Sequence, residues 1–389
     1  MKRLIWGFAL LSVGCASVQD RLNKDEQNKR EFTISAQWVS ELKNQSLNKF
    51  RKINRFLPYD GGDVLIVGSP HRGLLGLNKE DGKQIWVLDL PFGVESAGVG
   101  IKDRFFVGTL GGEFVAVDIK TGTKIWSTHM SNEVTAEPLL SDGQIFVMAA
   151  NTLFCLDAID GRVVWVYQRP EISGLSVRGG PRPARVDNRV FAGFSDGYFL
   201  AFDATKGNVL WETQLNRNKR FRDIDSNIAV AGKDLYVSGY DDKLYRIEQS
   251  TGAIRWNYDA GGFTAPLISD GTIFYSSSNG KVIAINETDG KTLWTFPVKS
   301  GIGGTPVLYG SEIAVGESNG RVVFLNRNTG KLVGAFEPGR GVFSPLLVDE
   351  AQKRIFFISN ESRAYLIKAN WEKPVLFSEV LGKKEALNQ

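Results

Sequence analysis

The chain has 389 residues, 42% hydrophobic and 23% charged, with a formal net charge of +4 to which Lys2 and Arg3 contribute. That balance, without an aromatic and basic reader motif, excludes a nucleic-acid footprint. The two histidines, His71 and His129, lack metal-ligand spacing, and no Gly-x-Ser-x-Gly, Cys-x-x-Cys or phosphate-cradling loop is present, so neither an enzyme nor a bound cofactor or metal is expected.

Residues 1–14 read as an export leader. Lys2 and Arg3 precede the apolar run Leu4–Val13, which is about half the roughly 20 residues a membrane helix needs. Ser12, Val13, Gly14 and Cys15 resemble a lipoprotein cleavage box, although leucine usually stands where Ser12 does. Cys15 is therefore the expected lipidation site. Ala16, rather than aspartate, follows it, which in enterobacterial-type lipoproteins implies delivery to the outer membrane, and a triacylated cysteine would anchor firmly there. Residues 15–31 are polar and lack aromatics before Phe32, as in a flexible lipid-anchored tether. Cys155 is then the only other cysteine, leaving no intramolecular disulfide; on the apolar run Leu153–Leu156 it reads as a small buried hydrophobe.

From residue 78 onward one element recurs seven times: Asp, Asn or Glu, three positions, glycine, three positions, then usually tryptophan. The copies are Asn78/Gly82/Trp86, Asp118/Gly122/Trp126, Asp157/Gly161/Trp165, Asp203/Gly207/Trp211, Glu248/Gly252/Trp256, Asn286/Gly290/Trp294 and Asn326/Gly330, with Gly334 replacing the last tryptophan. A period near forty residues signals stacked supersecondary units. In the unit Thr135–Gln168, apolar segments at 135–140, 144–150, 153–158 and 162–168 are separated by turn residues, predicting four short antiparallel strands.

A lone four-stranded sheet cannot bury both faces, so the units must stack in a ring, a β-propeller. The repeated glycine supplies positive φ, the Asp or Asn before it bonds turn amides, and the tryptophan falls on the outermost strand to fill the gap between blades. Gly111–Gly112 is a hairpin turn, and Gly303–Gly304 is expected to open a strand. The segment Val342–Lys368 supplies three further strands. Trp38, after the strand-like stretch Phe32–Gln37, is in the better position to complete that eighth blade; closure by Trp371–Val380 is the competing arrangement. The expected fold is all-β, an eight-bladed propeller of four-stranded antiparallel blades over residues 32–369, with a tail at 370–389.

Two successive glycine spacings, 161 to 207 and 207 to 252, are five or six residues longer than the rest. Insertions in a repeat map to loops. The first holds Ser173–Pro183 and the second Arg217–Asp225. Leu175 and Val177 beside Arg178, facing Asp223 and Asp225, form a candidate protein-binding patch, the aliphatics supplying desolvation and the guanidinium paired hydrogen bonds. In the competing reading the aliphatics tuck beneath their own loop.

At these residues the chain resembles the BamB family, lipoproteins of the outer-membrane β-barrel assembly (BAM) machinery with repeats like those of pyrroloquinoline-quinone enzymes. Leu175-Ser-Val-Arg-Gly179 is similar to the family's Leu-Ser-Leu-Arg-Gly, and Asp223-Ile-Asp225 to its Asp-Val-Asp. The resemblance covers Phe32 to about Lys368. It implies a non-enzymatic scaffold on the periplasmic face of the outer membrane, which binds the periplasmic POTRA domains of BamA through Leu175, Val177, Arg178, Asp223 and Asp225. It also implies contact with the other BAM subunits and with unfolded outer-membrane proteins. Gly180-Pro-Arg-Pro183 and the basic cluster Arg217, Lys219, Arg220 and Arg222 match nothing in the family pattern and are expected to adjust the partner surface or meet anionic headgroups. Two other classes remain: a quinoprotein dehydrogenase, against which stands the lack of adjacent cysteines, and a periplasmic binding lipoprotein with another partner.

Overall fold

The computed structural model describes residues 30–42, 55–130, 132–170, 180–216, 222–239 and 243–372. Cys15 and the leader, Leu175, Val177, Arg178, Arg217, Lys219 and Arg220 lie outside them. Among the described residues every regular element is a strand, and the strands form eight four-stranded sheets. Residues 35–368 make one compact unit, an eight-bladed β-propeller. Residues 30–34 with 369–372 group separately; there the Thr33 hydroxyl donates to the Asn370 carbonyl at 3.3 Å and the Phe32 and Trp371 rings meet edge to face.

The third blade shows the plan. Its strands are Leu139–Ser141, Gln144–Ala149, Thr152–Asp157 and Val163–Gln168, paired in chain order. The innermost strand begins later than the apolar pattern suggests, because Pro138 has no amide to give a ladder and Glu137 turns to a side-chain partner. Asp142 and Gly143 both take positive φ in the first hairpin, as a two-residue turn matching strand twist demands. The two middle strands are almost wholly buried, since neighbouring blades cover both faces; in the first blade, Val64–Ser69 is buried at every residue. The apolar core is accordingly a series of layers between successive blades.

The repeated motif explains how those layers stay in register. Asn78 Oδ1 accepts from the Glu80 and Asp81 amides, Asp118 Oδ1 from Lys120 and Thr121, and Asp203 Oδ1 from Thr205 and Lys206. The glycine amide then closes the turn onto the same residue's carbonyl, as Gly207 does to Asp203 at 2.8 Å. Above each of these glycines lies the tryptophan of the preceding blade: Trp86 over Gly122, Trp126 over Gly161, Trp165 over Gly207, Trp211 over Gly252, Trp256 over Gly290 and Trp294 over Gly330. Most of these indoles also donate to the next blade, Trp86 to the Ile119 carbonyl and Trp165 to that of Ala204, both at 2.9 Å.

The eighth sheet is ordered Glu31–Glu41, Arg363–Glu372, Arg354–Ile358, Leu347–Asp349 from rim to centre. Its outer strand therefore comes from the N-terminal side of the chain and carries Trp38. Where Gly334 replaces tryptophan on the seventh blade, Phe336, Phe357 and Tyr365 fill the joint, the last two rings stacked 5.1 Å apart. Gly303 forms an isolated bridge with Glu317 and the strand begins only at Val307, so Gly303–Gly304 precedes a strand instead of opening one.

Candidate functional site at the channel mouth

Each connection from an outer strand to the next blade's inner strand emerges at the same end of the ring, because all outer strands run in the same direction. Five such connections are pinned to a neighbouring hairpin by one backbone bond: Val94 to Ser69, Val134 to Thr109, Ile224 to Phe194, Gly262 to Gly239 and Val342 to Glu317. The next residue in each case is Glu95, Thr135, Asp225, Phe263 or Phe343. Counting back from the inner strands adds Arg55, Gly180 and Gly303 as the equivalent positions of the other three blades. Equivalent positions in a closed ring of blades surround its axis, where the central channel of a propeller opens, and Phe263 of the sixth blade meets Phe343 of the eighth there.

The mouth combines aromatic and charged groups. Phe263 and Phe343 stack 5.2 Å apart at 9°, and the Arg55 guanidinium sits 5.0 Å from the Phe343 centroid, a cation–π contact. Asp223 and Asp225 are buried, at 4% and 9% exposure. Burial pushes the Asp225 carboxyl well above the usual carboxylate range; the neighbouring Asp223 charge adds to this and the Arg55 guanidinium opposes it. Among the described residues Asp225 Oδ2 has no hydrogen-bond partner. The two aspartates expected beside the long loops are thus brought together, within the mouth and not on the outside of a loop.

A second polar cluster lies beside the first. The Asn227 amide donates to Glu137 Oε2 at 3.1 Å, Arg182 Nη1 lies 3.2 Å from Glu137 Oε1, and the Arg182 amide donates to Asn227 Oδ1 at 2.8 Å. Burial raises the Glu137 carboxyl, against the pull of Arg182 and Asn227. Arg182 of the Gly180–Pro183 segment thus fastens the third, fourth and fifth blades, a role its sequence context did not suggest. Cys155 is fully buried and burial pushes its thiol up to about 12, so it is unreactive filling.

Sequence reasoning missed Arg55, Phe263 and Phe343. Their signal was positional: laying the units over one another at their inner strands places Arg55, Glu95 and Asp225 in one column, charged residues where the repeat demands none. Among the described residues no group of three or more His, Cys, Asp or Glu side chains converges to hold a metal ion.

The family model described as outer membrane protein assembly factor BamB matches residues 71–295 and 222–379. The BamB of Moranella endobia is 25% identical over 56% of this chain, which spans 61% of that protein's length. The BamB of Salmonella typhimurium is 24% identical over 74% of this chain and 77% of its own length. Among solved structures, BamB from Moraxella catarrhalis superposes with a TM-score of 0.73 at 22% identity, over 86% of this chain and 100% of that one. A quinohemoprotein alcohol dehydrogenase from Pseudomonas putida HK5 also gives 0.73, at 14% identity over 88% of this chain and 78% of its own, a likeness of fold alone. With the repeat frame, the eight blades and a family match running from residue 71 to residue 379, the chain belongs to the BamB family of outer membrane protein assembly factors.

Proposed function

We propose that the chain is a non-enzymatic scaffold of the outer-membrane β-barrel assembly machinery, tethered to the periplasmic face by lipid on Cys15 and docking on the periplasmic domains of BamA. The observation that carries the reading is the family match together with the buried Asp223–Asp225 pair at the channel mouth. A partly desolvated carboxylate pair there suits a partner's guanidinium or the chain's own Arg178, with Leu175 and Val177 as the apolar anchors. Rigid blades locked by tryptophan would fix the points where those loops leave and re-enter the ring, so that docking selects one disposition of a multidomain partner.

The decisive experiment is affinity purification of the tagged lipoprotein from detergent-solubilised envelopes, wild type beside an Arg178→Ala, Asp225→Ala double variant. Recovery of BamA with the wild type and its loss from a folded variant is the expected result. No BamA with either would overturn the reading.

Contact with unfolded barrel proteins is supported by the rim. The third blade's outer strand Val163–Gln168 is a sheet edge without a charged residue, and Val163, Val164 and Val166 point outward half exposed. Such an edge can accept an extended chain by β-augmentation. Photo-crosslinking from position 166 that never traps a nascent barrel protein would remove this part.

The quinoprotein reading rests on the fold likeness to the dehydrogenase. Against it stands the lack of adjacent cysteines in the sequence. A quinone absorption band in the purified protein would revive it.

A further inference from the structure

The turn Leu90–Gly93 carries a backbone conformation its sequence should avoid. The Gly93 amide donates to the Leu90 carbonyl at 3.0 Å, closing a four-residue turn with Pro91 and Phe92 at its centre. Proline suits the first central position of a type II turn; the second needs positive φ and normally takes glycine. Phe92 sits there at φ 67. Among the described residues the other non-glycine positions with positive φ are Lys102, Asp142, Ala150, Asp187, Asp270, Lys353 and Ser362, none of them aromatic. In the corresponding connection of the seventh blade the chain places Gly339 after Pro338, at φ 102. The fold has an unstrained solution and does not use it at Phe92.

Burial does not compensate the strain, for Phe92 is 72% exposed. One side of the ring rests on Gly111 of the next blade, where an added Cβ would lie 2.8 Å from the ring. The turn is held from both sides: the Leu90 amide donates to Arg72, Val94 to Ser69, and the Leu110 amide to the Gly93 carbonyl. An over-determined turn that presents an aromatic ring to solvent is the arrangement expected of a binding anchor. Its position fits as well, since it lies in the same connection as Glu95, the equivalent of Asp225, at the end of the ring where the channel opens.

We infer that Phe92 is a second docking anchor, inserted into an apolar pocket on the folded protein domain that binds this end of the propeller. The inference rests on the scaffold reading above and adds a contact outside the two long loops. A lipid surface fits less well. The element offers one ring, not a broad apolar face, and Glu95 in the same connection, with Asp89 and Glu113 at the strand ends that flank the two loops, disfavours anionic headgroups.

The test uses the full chain in detergent with the purified periplasmic region of BamA as probe. Phe92→Gly should weaken binding at least about tenfold while melting no lower than wild type, because glycine relieves the turn. Ile159→Ser, which removes an equally exposed apolar side chain, 73% exposed, from the opposite end of the ring, should bind as wild type does. Unchanged binding by Phe92→Gly, a lower melting temperature in that variant, or equal loss in both variants would each overturn the inference. So would loss of co-sedimentation with phosphatidylglycerol vesicles alone, which would mark Phe92 as a membrane contact. Absence of binding by the wild type would instead overturn the scaffold reading, and this inference with it.

Discussion

Trp38 lies over Gly82, 44 positions further along the chain, and its indole donates to the Lys79 carbonyl at 3.1 Å. An added Cβ on Gly82 would fall 2.6 Å from that ring. The contact repeats, at the junction of the eighth and first blades, the tryptophan-on-glycine joint that follows each of the first six. It closes the ring with a strand from the other end of the sequence. Closure consequently uses long-range pairing, but no geometry the other joints do not use.

The indole joints differ in one detail that permits a graded test. Trp165 packs against Phe146 and Phe202 and donates to Ala204, whereas the buried Nε1 of Trp126 has no acceptor among the described residues. Trp165→Ala should cost about 3 to 5 kcal/mol by opening a cavity at the rim. Trp165→Phe should lose about 1 kcal/mol more than Trp126→Phe, since only the former gives up a hydrogen bond. Chemical denaturation of the three variants beside wild type measures this; equal costs for the two phenylalanine variants would show that the indole bond contributes nothing.

Glycine in these turns serves two purposes that substitution can separate. Gly207 has φ 74 and a Cβ there would lie 2.7 Å from the Trp165 ring; Gly232 has φ 56 and open space around it. Gly232→Ala should cost about 1 kcal/mol, the backbone part alone. Gly207→Ala must also displace the indole and should cost at least about 2 kcal/mol more. Similar melting temperatures for the pair would mean the ring shifts freely and the joint is looser than its contacts suggest.

These joints were legible in the sequence because each is local: an Asx turn, a glycine and a tryptophan recur within nine residues, and the period fixes what stacks on what. The channel mouth was only half legible. Asp223 and Asp225 stood out beside an insertion, but the charge that opposes them, Arg55, is far away in sequence and faces Asp225 only when the ring closes. Arg182 looked like part of a basic surface because Glu137 and Asn227, its partners, lie on other blades. Phe92 gave no signal, since a phenylalanine after a proline reads as ordinary until its φ is seen.

Closure also has an ionic component that acid should expose. Arg354 of the eighth blade donates to both oxygens of Glu80 in the first blade, at 2.8 and 2.9 Å, and to Asp349 at 3.1 Å. Burial pushes the Asp349 carboxyl up, but the Gln352 amide, Arg354 and Lys79 outweigh it and hold it below its ordinary range. A depressed carboxyl stabilises the fold above its unfolded value and loses that contribution as pH falls through the folded one. Arg354→Met should cost about 2 kcal/mol or more at pH 7, less than a fully buried pair because Glu80 is exposed. The gap to wild type should narrow on acidification below about pH 4. A gap independent of pH would assign the loss to packing against Phe356, which the guanidinium also covers.

Asp225 should show the opposite sign. Its carboxyl is raised by burial and by Asp223, so the protonated form is the one the fold favours; its stabilising contribution is complete below the unfolded value and is lost as pH rises through the folded one. Asp225→Asn keeps the shape and removes the ionisation. It should melt higher than wild type at pH 8, and the two should converge near pH 4, below which the wild-type side chain is neutral in both states. A variant that is more stable alone yet binds BamA more weakly would show that the mouth retains a strained carboxylate for its partner. If Asp225→Asn instead melts lower at pH 8, the attraction of Arg55 outweighs burial, and the pair is a structural tie across the channel.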